Sequence, residues 1–358
     1  MDEHTITGRR GFIGKLTAGS VAVAAAVTGQ TVFAAAVKKE GFDKGTTNPA
    51  DKKEKKFVPV MVTPFTSNGK IDFDGLAALV DFYLVAGVKG FFANCASSEM
   101  YALTPEERLS LARFVVRRVN GSVPVVATGS FGNAPEEKAE FAKRMYHTGI
   151  NAVILITSHF ATAEESDEVL ISNFEQFFTL TDNIPVGTYE CPTPYKRILS
   201  PKVFTYLLQS KRLVYHKDTS IDRNMVKEKL DLAKNNRLEF YDAHTPNAMY
   251  SLQWGAKGMS AIAGNFYPEI FTWMCDNATN PKKQKEVEWL QAELTKADPI
   301  ISTSYPMSSK YFLHKRGVPI LPISRTSPNP LTEKEKKALD NVYASFKGWC
   351  NRLGIQPA

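Results

Sequence analysis

Cysteine is scarce in this chain. Four thiols, Cys95, Cys191, Cys275 and Cys350, are spread over 358 residues, which excludes the disulfide framework that small secreted domains rely on. No CxxC pair and no Cys/His cluster at ligand spacing occurs, so no zinc site is expected. No strand-like segment runs into a GxGxxG turn, which argues against dinucleotide binding, and no cofactor is expected. A long uninterrupted apolar run is missing too. The most apolar stretch, near the N-terminus, is broken by Gly and Thr and is too weak for a permanent membrane span. Positive charge is present but badly placed for a nucleic acid. Of the net +7, +1 lies in residues 1–36 and +3 in residues 37–56, where seven lysines face four acidic side chains. The +3 left on residues 57–358 is too little for a phosphate-binding surface.

What the sequence does contain begins with "TGRRGFIGKLTAGSVAVAAAVTGQTVFAAA". Paired arginines, Phe12 just after them, a mildly apolar run and a small-residue exit predict a signal peptide over residues 1–36, cleaved on export. "RRGFIGK" resembles the twin-arginine signal, so a periplasmic or otherwise exported protein is expected. Residues 37–56 are Lys-rich and aperiodic, the composition of a linker.

From residue 57 the pattern changes. Short runs rich in Val, Ile and aromatics ("FVPVMVTPF", "GFFANCASSE", "VPVVATGSF", "AVILITSHF", "IPVGTYECP", "LVYHKDTS", "LEFYDAH", "GMSAIAGN") alternate with stretches of helical period. Eight strand-then-helix units in residues 57–267 predict an α/β fold, a (β/α)8 TIM barrel, with residues 268–358 as a C-terminal helical extension. In such barrels chemistry is carried at the C-terminal ends of the strands. The candidates so selected are Thr63, Ser97, Ser98, His159, Phe160, Tyr189, Lys217, Asp242, His244 and Asn265.

Lys217 is the informative one. A lysine closing an apolar run ordinarily snorkels to water, but a strand end in a barrel aims it into the mouth. Desolvation there favours the neutral amine, which can condense with a ketone to a Schiff base. Tyr189, at the neighbouring strand end, could carry protons. The Ser-rich turn "ASSE" suits a carboxylate.

These residues carry a resemblance. "VMVTPF" with "NGKID", "ANCASSEMYALTPEER", "TYECP", "VYHKDTS" and "GAKGMSAIAGN" are similar to the successive motifs of the dihydrodipicolinate synthase / N-acetylneuraminate lyase family of lysine-dependent barrels. The resemblance implies that Lys217 is the Schiff-base residue, Tyr189 the proton shuttle, and Ser97 with Ser98 the cradle of a pyruvyl carboxylate. It also implies a homo-oligomer, dimer or tetramer, with the aromatic-rich end of strand four at the tight contact. Three departures bear on function. Cys95 and Ser98 replace the two glycines of the turn; "TSHF" stands where the synthases have T-P-Y-Y; and Pro194 stands where they have an arginine for a second carboxylate. The expected activity is therefore a class I lyase or aldolase that makes or breaks a carbon-carbon bond of a 2-oxo acid, possibly a sugar acid, releasing pyruvate. The alternatives are a dehydratase or hydratase-aldolase on the same barrel, or a non-catalytic exported binding protein for a carboxylate. Dihydrodipicolinate synthesis itself is disfavoured.

Overall fold

The computed structural model describes residues 54–327 and 329–358. The expected signal and all but the last three residues of the linker lie outside the described residues. Eight parallel strands run in sequence order round one sheet: β1 Lys56–Phe57, β2 Phe91–Asn94, β3 Val125–Thr128, β4 Ala152–Ile156, β5 Val186–Tyr189, β6 Leu213–Asp218, β7 Glu239–Asp242 and β8 Gly258–Met259. Each is followed by a helix: α1 Phe73–Val85, α2 Pro105–Val119, α3 Pro135–Tyr146, α4 Asp167–Leu180, α5 Pro201–Gln209, α6 Arg223–Ala233, α7 Ala248–Trp254 and α8 Pro268–Asn277. β1 pairs with β8, and the chain just beyond β1 bridges β2 at Val60 and Phe92. The sheet thus closes into the (β/α)8 barrel that the alternation predicts.

Two apolar layers hold it together. Inside the barrel, Val60, Phe92, Val126, Ile154, Tyr215 and Tyr241 pack on one another. Outside, the other face of each strand packs against the helices. The helices start where the sequence supplies caps. Asp72, Ser166, Ser200 and Asp222 each accept a backbone N–H of the first turn, and Thr104 with Glu107 forms a capping box. β1 is shorter than the run "FVPVMVTPF" suggests, because Pro59 and Pro64 have no N–H for a ladder.

The extension comprises α9 Gln284–Ser302, α10 Met307–Lys315 and α11 Glu333–Leu353. α8 packs on β1 and β8, so it is the eighth helix of the barrel. The boundary drawn at residue 268 therefore falls one helix early.

The seam between first and last strand needs glycine. A Cβ added at Gly258 would lie 1.7 Å from the Lys56 carbonyl oxygen, a backbone atom that cannot step aside without parting β1 from β8. Gly258→Ala is expected to cost about 3 kcal/mol or more, read as a lower urea midpoint at unchanged slope.

Candidate active site

β6 places Lys217 on the inner face of the barrel. Successive strand residues alternate between faces, so Tyr215 and Lys217 point inward while His216 and Asp218 meet the helix layer. Lys217 is 3% exposed. Its ammonium lies 4.2 Å from the centre of the Tyr189 ring and 5.9 Å from that of Phe92. Tyr189 is its register partner on β5. Burial, the largest influence, lowers the lysine pKa to about 8, against the opposing pull of the Cys95 and Cys191 thiols. A substantial fraction of neutral amine near physiological pH follows. Burial also pushes the Tyr189 phenol well above its usual value, with the Cys191 and Cys95 thiols adding to it. Tyr189 therefore stays protonated and able to donate.

The turn after β2 forms the next wall. Cys95 leads into a 3-10 turn, Ala96–Ser98. Thr63 is fully buried, and its hydroxyl donates to the Ser98 carbonyl at 2.8 Å. The Ser98 hydroxyl contacts the carbonyls of Met61 (2.7 Å) and Ala93 (2.9 Å) and accepts from the Cys95 N–H. It belongs to the framework that shapes the turn, which removes it from the expected carboxylate cradle and leaves Ser97. Glu99 adopts the left-handed region at φ 56°. Its carboxylate accepts from Lys310 of α10 at 2.6 Å, from the Ser324 hydroxyl and from the N–H groups of Arg325 and Thr326. Although burial opposes it, that company holds the carboxyl below its ordinary pKa. Glu99 anchors the extension to the turn.

Two other predicted residues, Phe160 and Asp242, face away from the barrel interior. Phe160 stacks on Phe174 at 4.6 Å and meets Phe177 edge-on at 5.3 Å, so it seats α4 and is available neither to a substrate nor to a second subunit. Asp242 faces the helix layer, where it accepts from the Ser251 hydroxyl and from the His244 N–H. Its register partner Asp218 also faces out. Burial raises the Asp242 carboxyl to about 7. Both nitrogens of His159 are engaged, Nδ1 with the Ser130 carbonyl at 2.7 Å and Nε2 with the Tyr101 hydroxyl at 2.9 Å. Burial lowers its pKa, so it is a neutral wedge between the ends of β3 and β4. His244 sits half-buried at the rim, its pKa lowered by burial and further by Arg223 and Lys196, with Asp298 opposing. Asn265 reaches the site, in a 3-10 turn beyond β8.

Behind the sheet, Glu190, His216 and Asp218 bring three ligand-type atoms within 4.8 Å of one another. The ammonium of Lys229, from α6, already sits on both carboxylates, 2.7 Å from Asp218. A metal ion there would have to displace it.

One site residue has no signal in the sequence. Tyr305 lies between α9 and α10, far from any strand end, yet its phenolic oxygen accepts from Asn265 Nδ2 at 2.5 Å, and burial raises its pKa against the opposing influence of the Ser97 hydroxyl and of Asn265.

Comparison with known proteins agrees with this architecture. A sequence model of the Dihydrodipicolinate synthetase family matches residues 53–346. The 4-hydroxy-tetrahydrodipicolinate synthase of Methanococcus maripaludis strain C7 is 29% identical over 304 residues, covering 83% of this chain and 98% of that protein. The crystal structure of dihydrodipicolinate synthase DapA-2 from Bacillus anthracis superposes with TM-score 0.73 at 25% identity, over 81% of this chain and 98% of its own. A prophage protein of the dihydrodipicolinic acid synthase family from E. coli K12, solved in complex with pyruvate, matches in fold with TM-score 0.73 at 23% identity, covering 82% and 98%.

Proposed function

The chain belongs to the dihydrodipicolinate synthetase family, and on that footing we propose that it is a pyruvate-releasing Schiff-base lyase or aldolase acting on a 2-oxo acid. The observation that carries the reading is the buried Lys217 amine against the Tyr189 ring, with no carboxylate of the described residues among the charges acting on it. The neutral amine attacks the ketone carbon, a C–N bond forms, and the resulting carbinolamine loses water as a protonated imine. The bond between the third and fourth carbons then breaks, its electron pair passing into the imine as an enamine. Tyr189 supplies the proton that leaves with the carbinolamine oxygen and takes up the one released by the substrate hydroxyl. Protonation of the enamine carbon and hydrolysis return the lysine and release pyruvate. Ser97 binds the carboxylate.

Synthesis of dihydrodipicolinate, the activity named for the relatives, is not our reading. Pro194 and the "TSHF" segment lack the second-carboxylate arginine and the tyrosine that the resemblance associates with it. The Arg197 guanidinium is spent on the carbonyls of Thr162, Ala163 and Glu165 and on Asp167. Export by a twin-arginine route, and assembly into a homo-oligomer, form part of the same proposal.

The test is a screen of 2-oxo acids and deoxy-sugar acids for pyruvate release, with Lys217→Ala as the control. Release from none of them, with binding intact, would replace this reading by that of a binding protein. The pH dependence carries a sign. Since attack needs the free amine, the rate of imine formation should rise about tenfold per unit up to about pH 8 and level off above it.

A further inference from the structure

The barrel mouth is lined in part by the extension, and that contact has a direction. Tyr83, buried on α1, donates its hydroxyl proton to Asn265 Oδ1. Asn265 Nδ2 donates to the Val60 carbonyl at 2.8 Å and to the Tyr305 oxygen at 2.5 Å. A phenol and a carbonyl thus fix the amide orientation from both ends. The amide hydrogen fills a lone pair of the Tyr305 oxygen, so the phenol's own proton is left for a ligand. Ser98 offers nothing of the kind, its hydroxyl being bound to Met61 and Ala93. The backbone holds the group in place at some expense: Ser304, just before Tyr305, has φ 54°, a conformation that non-glycine residues seldom adopt.

We propose that Tyr305 is a substrate-binding residue of this site, its O–H and that of Ser97 each donating to one oxygen of the 2-oxo acid's carboxylate. Resting on the reading above, this makes the site a joint product of barrel and extension. Asn265 is then a positioning residue, which orients the phenol without touching the ligand. The Glu99–Lys310 pair serves the same end, since it ties the turn that carries Ser97 to α10, which begins two residues after Tyr305.

The test is Tyr305→Phe, which keeps the ring and removes one donor, with Tyr311→Phe as control. Tyr311 is on the same extension but bonds outward to Asp340. Pyruvate affinity is measured calorimetrically on the full-length protein, and KM and kcat are measured where a substrate has been found. Losing one hydrogen bond to a carboxylate should weaken pyruvate binding about tenfold or more. KM should rise by a similar factor with kcat changed less than threefold, and the thermal midpoint should stay within a few degrees. Tyr311→Phe should match wild type throughout. Pyruvate affinity within twofold of wild type in Tyr305→Phe would overturn the proposal, as would a fall in kcat alone. Should borohydride fail to trap pyruvate on the wild type while pyruvate still binds, and binds worse in Tyr305→Phe, the catalytic reading fails and Tyr305 keeps its role. A wild type that neither traps nor binds pyruvate overturns both.

Discussion

Lys217→Ala should cut turnover by about three orders of magnitude or more while leaving the fold as stable as before or slightly more so. The reason lies in how the amine is kept. Lys217 is buried among Tyr189, Phe92 and two thiols, and among the described residues no carboxylate acts on its charge. Its ammonium form is a cost of folding, which alanine removes along with some packing. A residue that gives nothing to stability and everything to a reaction separates the two readouts, activity and urea midpoint, in a single variant. An equal loss of both would assign Lys217 to the framework.

Lys229 is the reverse case. It too is buried, 1% exposed, but it holds Glu190 and Asp218 together behind β5 and β6. Burial alone would raise the Asp218 carboxyl, yet His216 and this ammonium hold it well below the ordinary range. Burial works against the Lys229 ammonium, but Glu190 and Asp218 outweigh it and keep the group charged, its pKa raised. Lys229→Met should therefore strand two buried carboxylates and destabilise the protein by about 3–5 kcal/mol at neutral pH. The sign of the pH dependence follows. In the variant Asp218 loses its ammonium partner and burial pushes its pKa up from the wild-type position, so the variant's native state binds more protons than the wild type's and the lost stability is recovered as pH falls. The difference from wild type should shrink between pH 8 and pH 5, which denaturant titrations at the two pH values would measure. A difference independent of pH would point to lost packing instead.

The contrast between these two lysines shows what can be read in a sequence of this kind and what cannot. Lys217 was legible because a strand end in a repeated β/α pattern fixes its depth and its side of the sheet. The same rule failed for Asp242 by one residue. β7 pairs with β6 so that Tyr241 lies opposite Lys217 and shares its inward face, and that register is a property of the closed sheet, absent from the run "LEFYDAH". Phe160 was lost to α4 because an aromatic after a strand can pack either way. The expectation for Ser98 fails because hydroxyls look alike in sequence, whereas its partners, the Ala93 carbonyl of β2 and the Met61 carbonyl beyond β1, are set by the fold. Tyr305 was invisible, since no periodicity ties a residue between two helices of the extension to a strand end forty residues earlier. The anchoring role of Glu99 has no local signal, since its partners, Lys310 and residues 324–326, lie more than two hundred residues away.

The central claim is that the amine of Lys217, rather than any other group, forms a covalent imine with the ketone of a bound 2-oxo acid. Reduction with borohydride in the presence of pyruvate, followed by peptide mapping by mass spectrometry, tests it directly. The account predicts a single pyruvyl-sized addition on the peptide containing Lys217 and none on Lys229, whose amine is locked as an ammonium. An unmodified Lys217 under saturating pyruvate, or an addition on another lysine, would contradict it.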